Sequence, residues 1–224
     1  MKGNHLVIFD AAGTLFDTAE PVEAVYSRCF LKYGFEIPER IWKSAFRSAF
    51  SDTPAPDYTG YTDGNSVERQ WWMDVVFHAA AAVGVTCRAD TKAKIFEELF
   101  SHYEKGDAWR LFGDTIPALD FYRESGARLA IASNFDSRLH RVIDDLGVSG
   151  YFEFVLTSGD VLARKPSPVI IEKLLEISGV DRAQCCLIGD STGADGGAAA
   201  AAGIQFYLID RPSKTLADVE MHFS

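Results

Sequence analysis

Basic residues are scarce in this sequence: 22 lysines and arginines stand against 32 aspartates and glutamates, a formal net charge of −10. A surface of that sign repels a phosphodiester backbone, which argues against general nucleic-acid binding and leaves only local cationic spots for a small anion. Long apolar runs are missing as well. The run from Leu6 to Phe9 is far shorter than a signal-peptide core or a membrane span, so no membrane partner is expected and cytoplasmic residence is the default. There are only four cysteines, Cys29, Cys87, Cys185 and Cys186, with no CxxC spacing. Cys185 and Cys186 are neighbours, and neighbours on a strand point to opposite faces, so reduced and mostly buried thiols are expected rather than a disulfide. No internal repeat is present.

What the sequence does have is an ordinary globular composition, 47% hydrophobic and 24% charged, over 224 residues. That length suits one large domain or a core with a modest insertion. Five short apolar runs read as buried strands: His5–Phe9, Arg128–Ala132, Phe152–Leu156, Cys185–Ile188 and Gln205–Ile209. Helical patterns separate the later four, so β-α-β alternation predicts a parallel sheet, an α/β doubly wound fold. Over 168–179 the helical spacing is plain: Ile170, Ile171, Leu174, Leu175 and Ser178 share a face, with Glu172, Lys173 and Glu176 outside. Residues 17–110 differ, with amphipathic stretches and no strand signal. Asp90 is a candidate cap for a helix with the stripe Ile95, Phe96, Leu99, Phe100 and Tyr103; Asn65 with Glu68 resembles a capping box ahead of Trp71, Trp72, Val75, Val76 and Ala79. The segment 51–64 is a turn-rich loop. The expected organisation is a core of 1–16 plus 111–224, with an all-helical insertion over 17–110.

The chemistry-bearing side chains fall at strand ends, where open parallel sheets bind ligands. The first strand ends in Asp10-Ala11-Ala12-Gly13-Thr14, with Gly13 permitting a tight turn and backbone N–H groups able to face an anion. The second ends at Ser133-Asn134, a hydroxyl and an amide suited to phosphate oxygens. After the third comes Lys165-Pro166, a cation before a stiff turn. The fourth ends in Gly189-Asp190-Ser191, with Asp195 five residues on; two carboxylates near a third make an oxygen-rich site suited to magnesium. The segment 193–203, almost all glycine and alanine, reads as a helix packed closely on the sheet.

In their order and placement, Asp10-x-x-Gly13-Thr14, Ser133-Asn134, Lys165-Pro166 and Gly189-Asp190-x(4)-Asp195 resemble the four motifs of the haloacid dehalogenase superfamily, and the helical insertion looks like its cap. The wording SNFDSRL (133–139) is similar to the branch named after the rhythmically expressed gene two. The resemblance implies a magnesium-dependent hydrolase acting on a small phosphorylated molecule. It makes Asp10 the nucleophile that forms an aspartyl-phosphate and gives magnesium to Asp10, the Ala12 carbonyl, Asp190 and Asp195. Ala11, Ala12, Gly13, Ser133, Asn134 and Lys165 would surround the transferring group.

One position departs from that pattern. Phosphatases of the superfamily carry a second aspartate two residues after the nucleophile as general acid and base; here it is Ala12. Loss of such a group costs about 10²–10⁴-fold in rate, while a backbone metal contact survives. Several readings stay open: a phosphatase for activated leaving groups, a phosphonate-cleaving enzyme using one of Lys32, Lys43, Lys92, Lys94 or Lys105, a metal-free dehalogenase, an acid supplied by Asp17, whose other role is a hinge into the cap, or a binding module without turnover. Trp71-Trp72 reads as cap core with one ring free to line the cleft. His5, His78, His102, His140 and His222 carry no ligand pattern.

Overall fold

The computed structural model describes residues 5–220. In chain order its elements are β1 (Leu6–Phe9), β2 (Phe16–Thr18), α1 (Val22–Lys32), α2 (Glu39–Asp52), α3 (Gly64–Ala82), α4 (Ala89–His102), β3 (Trp109–Leu111), α5 (Thr115–Glu124), β4 (Arg128–Ser133), α6 (Arg138–Asp145), β5 (Phe154–Thr157), α7 (Ser158–Val161), α8 (Val169–Ser178), β6 (Cys185–Gly189), α9 (Gly197–Ala202), β7 (Gln205–Leu208) and α10 (Leu216–Glu220). Five strands form one parallel sheet in the order β5-β4-β1-β6-β7. β1 is central and its two neighbours come from far along the chain, so the carboxyl ends of β1, β4 and β6 lie side by side.

Side-chain alternation along these strands builds two cores. Val7, Phe9, Leu129, Ile131, Cys186 and Ile188 face α5, α6 and α10. Leu6, Ile8, Ala130, Ala132, Cys185 and Leu187 face α8 and α9. A sheet buried on both faces needs strands that are apolar at every position, which is why the central β1 and β6 are apolar and buried throughout while the edge strands are less so. Cys185 and Cys186 part to opposite faces as free thiols. In α9 the alanines Ala198, Ala199 and Ala202 are buried, and Gly196 lies so near Phe206 that a Cβ would meet its ring at 3.1 Å. The segment 192–196 ahead of it is a π-helical turn rather than α-helix. Strand bounds differ from expectation by a residue or two: His5 and Ile209 fall outside, and β5 starts at Phe154 because a 3₁₀ turn, Ser149–Tyr151, precedes it.

Helices α1 to α4 bury a third cluster of their own, including Tyr26, Phe30, Trp42, Trp71, Val75 and Ile95. Fully burying side chains of this kind is worth about 1.5–3 kcal/mol each. The insertion is not wholly helical, however. β2 and β3 pair antiparallel, Phe16 with Leu111 and Thr18 with Trp109, a short ribbon where the chain leaves and re-enters the sheet layer. Three-residue strands such as Phe-Asp-Thr and Trp-Arg-Leu carry too little periodicity to be read from sequence.

Two capping expectations are corrected. Asp63, not Asn65, caps α3, accepting from the Asn65 and Ser66 N–H groups. Asp90 lies inside the first turn of α4, which Arg88 precedes without a side-chain cap bond. Asn65 and Glu68 serve instead as ties between the helical layer and the sheet layer. Asn65 Oδ1 accepts from the Ser137 N–H at 2.8 Å, and a Cβ on Gly64 would stand 2.2 Å from the Gly159 carbonyl oxygen. Glycine is required there because the two backbones touch.

Candidate active site

Asp10 leaves the end of β1 with 8% exposure, its own N–H bound to the Ile188 carbonyl of β6 at 2.9 Å. The chain then turns at once: the Ala11 carbonyl accepts from Leu15 N–H at 2.8 Å while the Ala11 methyl sinks into the core. Gly13 sits at φ +87°, where a Cβ would stand 2.4 Å from Asp190 Oδ2. Two causes therefore demand glycine, a left-handed backbone and the approach of a carboxylate.

Across the sheet end, Lys165 is 4% exposed, and its ammonium donates to Asp10 Oδ1 at 2.7 Å, Asp195 Oδ1 at 2.5 Å and the Ala132 carbonyl at 2.7 Å. Burial opposes the ammonium charge, but the two carboxylates outweigh it and its pKa lies above the ordinary lysine value. An ammonium has three N–H donors, and the protein takes all three. Lys165 thus acts on its surroundings through charge rather than through a free donor. Asn134 holds this lysine in place: its Oδ1 accepts from the Lys165 N–H at 2.8 Å and its Nδ2 donates to the Lys165 carbonyl at 2.9 Å. The amide read from sequence as a ligand contact is engaged with the main chain. The second N–H of Asn134 Nδ2 has no partner among the described residues. Ser133, 3% exposed, keeps its hydroxyl without a partner among the described residues.

Asp10, Asp190 and Asp195 offer carboxylate oxygens that lie within 4.8 Å of one another. Asp195 is 1% exposed and committed on both sides, with Oδ2 accepting from Ser191 N–H at 3.0 Å. Burial and the Asp10 charge push its carboxyl up, against the pull of Lys165. Asp190 is the exposed member of the three and takes its own backbone N–H; partial desolvation of its carboxylate, then the Asp10 and Asp195 charges, push it up to about 6. Three carboxylates against one ammonium leave excess negative charge at oxygen ligands, the donor set of a hard divalent cation.

Over Asp10, Ala12, Ser133, Asn134 and Lys165 lies a cavity of about 660 Å³, partly covered by the helical layer. Its far wall is aromatic, and both Trp71 and Trp72 reach it. Two arginines to which the sequence reading gave no role also line it. Arg138 forks onto Asp136 with two 2.8 Å bonds and lies 3.6 Å over the Phe100 ring. Arg164 is paired with the fully buried Glu68 of α3 and lies 3.8 Å over Trp71. Glu68 also accepts from Tyr58 and from Ser158. Periodicity places Glu68 near a helix start and says nothing of a partner ninety-six residues on. Asp17 lines the cavity, exposed in β2, with Oδ1 on the Thr18 N–H. Lys32, Lys43, Lys92, Lys94 and Lys105 do not line it. His78 has a partner, Thr53, while His222 lies outside the described residues.

A family model described as haloacid dehalogenase-like hydrolase matches residues 5–203. Among curated relatives, haloacid dehalogenase-like hydrolase domain-containing protein 3 of Bos taurus is 30% identical over 93% of this chain and 82% of its own length. The Rhythmically expressed gene 2 protein of Drosophila melanogaster is more distant, 23% identical over 93% of this chain and 84% of its own. Two solved structures share the fold: a HAD phosphatase from Thermococcus onnurineus, with TM-score 0.68, 23% identity and 98% of both chains covered, and the L-2-haloacid dehalogenase from Xanthobacter autotrophicus, with TM-score 0.68, 20% identity, and 98% of this chain and 86% of that one covered. At such identities they speak for architecture alone, and they span two chemistries. The strand-end motifs, the parallel sheet and the matched model agree: this chain belongs to the haloacid dehalogenase-like hydrolase family.

Proposed function

We propose that this chain is a magnesium-dependent phosphohydrolase for a small phosphorylated molecule, with Asp10 as nucleophile. The observation that carries the reading is the cluster of Asp10, Asp190 and Asp195 within 4.8 Å, bridged by Lys165 beneath a large cavity. In this reading 1–16 with 111–224 is the core and 17–110 the cap, and the free thiols suit a cytoplasmic setting.

Lys165 holds Asp10 Oδ1 and leaves Oδ2 to attack phosphorus. The new O–P bond forms as the bond to the leaving oxygen breaks, and that oxygen departs with the electron pair. Water then attacks the aspartyl-phosphate, inorganic phosphate leaves, the carboxylate is restored and the proton passes to solvent. Magnesium would be held by Asp10, the Ala12 carbonyl and Asp190, and when bound it offsets the charge of the phosphoryl oxygens. The Ser133 hydroxyl and the spare Asn134 N–H face the transferring group, and Asp195 holds Lys165 and the Ser191 turn. Ala12 has no proton to give.

Phosphate release from acetyl phosphate and 4-nitrophenyl phosphate, with magnesium and with EDTA, tests the reading. Turnover is expected with the metal and absent in Asp10→Asn. A second reading, a phosphate- and metal-binding module, is favoured by the lack of an acid at Ala12 alone; binding of both ligands without turnover at high protein would establish it instead.

A further inference from the structure

The cavity is far larger than a phosphoryl group needs. At about 660 Å³ it falls among pockets that enclose a whole organic ligand, roughly 300–1,000 Å³. Its floor is the polar strand-end site. Its roof is a sheet of rings: Phe46, Phe50 and Trp72 on one side, Phe96, Phe100 and Tyr103 on the other. These rings pack edge to face or tilted on one another, Phe50 to Trp72 at 5.9 Å and Phe96 to Phe100 at 5.3 Å. Most polar groups among these rings are already engaged, Arg138 on Asp136, Arg164 on Glu68 and Thr53 on His78, so a sugar would find few open partners for its hydroxyls, which is costly. A quaternary ammonium would suit an aromatic box, but the faces of Trp71 and Phe100 are already covered by the Arg164 and Arg138 guanidinium groups.

A second observation is independent of the roof. No carboxylate stands at position 12, so the leaving oxygen departs without a proton from that side of the site. An alkoxide is a poor leaving group under those conditions. A phenolate is a good one, since a phenol ionises near 10 against about 15.7 for water. One substrate feature answers both observations.

We infer that the substrate is a phosphate monoester of an aromatic hydroxyl, an aryl phosphate whose ring fills the aromatic roof and whose phenolate leaves unprotonated. This rests on the aspartate-nucleophile reading above. Asp10 attacks phosphorus, the P–O(aryl) bond breaks, the phenolate carries away the electron pair, and water completes the cycle as before.

The test measures kcat and KM of the magnesium-loaded protein on acetyl phosphate, phenyl phosphate, 2-naphthyl phosphate, benzyl phosphate and glucose 6-phosphate. Aryl esters are expected to exceed glucose 6-phosphate in kcat/KM by about tenfold or more, from the ring contacts. Benzyl phosphate keeps the ring but releases an alkoxide; its KM should match that of phenyl phosphate while kcat falls by about 100-fold or more. Trp72→Leu is expected to lower the ratio of phenyl to acetyl phosphate kcat/KM by about fivefold. Acetyl phosphate turnover with no preference for aryl esters over glucose 6-phosphate would overturn the inference and leave the phosphohydrolase reading intact. If nothing is turned over, that reading falls, and calorimetry on Asp10→Asn decides the ring site separately: phenyl phosphate binding no tighter than glucose 6-phosphate overturns it.

Discussion

Glu68 offers the most quantitative test of how the helical layer is held over the sheet. The side chain is fully buried, on α3, and its two oxygens receive Tyr58 OH, Ser158 Oγ at 2.5 Å, Arg164 Nε at 2.9 Å and a second Arg164 nitrogen. Glu68→Gln keeps the volume but replaces one acceptor with an NH₂ group that faces a donor, and it leaves the Arg164 guanidinium unpaired. Removing one partner of a buried ion pair costs about 3–5 kcal/mol. Arg164 keeps the Trp71 face and 14% exposure of its side chain, which brings the cost to the bottom of that range or just under it, about 2–3 kcal/mol. For a chain of this size each kcal/mol moves the melting temperature by about 2–4 °C, so a drop of about 5–10 °C is expected by scanning calorimetry. Arg164→Met in the Glu68→Gln background should cost much less than Arg164→Met alone, because the unpaired charge disappears. A variant melting within about 2 °C of wild type would refute the reasoning, since a buried charge pair cannot be broken so cheaply.

Two other outcomes follow from the site. Ala12→Asp restores an acid beside Asp10 and is expected to speed hydrolysis of poor leaving groups such as benzyl phosphate at least about tenfold; no gain would mean the proton comes from another residue or the pocket does not turn over. Asp190 ionises near 6 in the folded chain, so the fold binds that proton more tightly than the unfolded chain does. The penalty for ionising it builds between about pH 4 and 6 and is fully present above that. In EDTA, Asp190→Asn should therefore melt higher than wild type at pH 7.5, the gain shrinking as pH falls towards 4, and magnesium should raise wild type at pH 7.5 far more than the variant. An equal magnesium shift in both proteins would remove Asp190 from the metal site.

Local pattern was enough for much of this. Continuous apolar runs announced strands buried on both faces, because a parallel sheet covered by helices admits no polar face, and the face of α8 followed from spacing alone. Asp10, Ser133 and Asp190 stand at or just past the ends of strands and Lys165 in the loop that follows one, and parallel strands bring those ends to one rim. Family resemblance supplied roles for them before any distance was known. The absence at Ala12 was likewise plain to read.

Other features depend on separations that periodicity does not encode. Glu68 looks like half of a capping box, yet its partner Arg164 is ninety-six residues away, and only the stacking of α3 on the Lys165 loop joins them. Asn134 looks like a ligand amide, yet both its polar atoms hold the Lys165 backbone. The ribbon of β2 and β3 is invisible because a three-residue strand has no measurable period. The aromatic roof, too, is drawn from helices whose apolar stripes read simply as core; a helix packed over an active site spends part of its stripe on its neighbours and part on the cavity. Sequence alone determined which side chains lie at the strand ends. Tertiary packing decided which of them touch, which are already engaged, and what the remaining space admits.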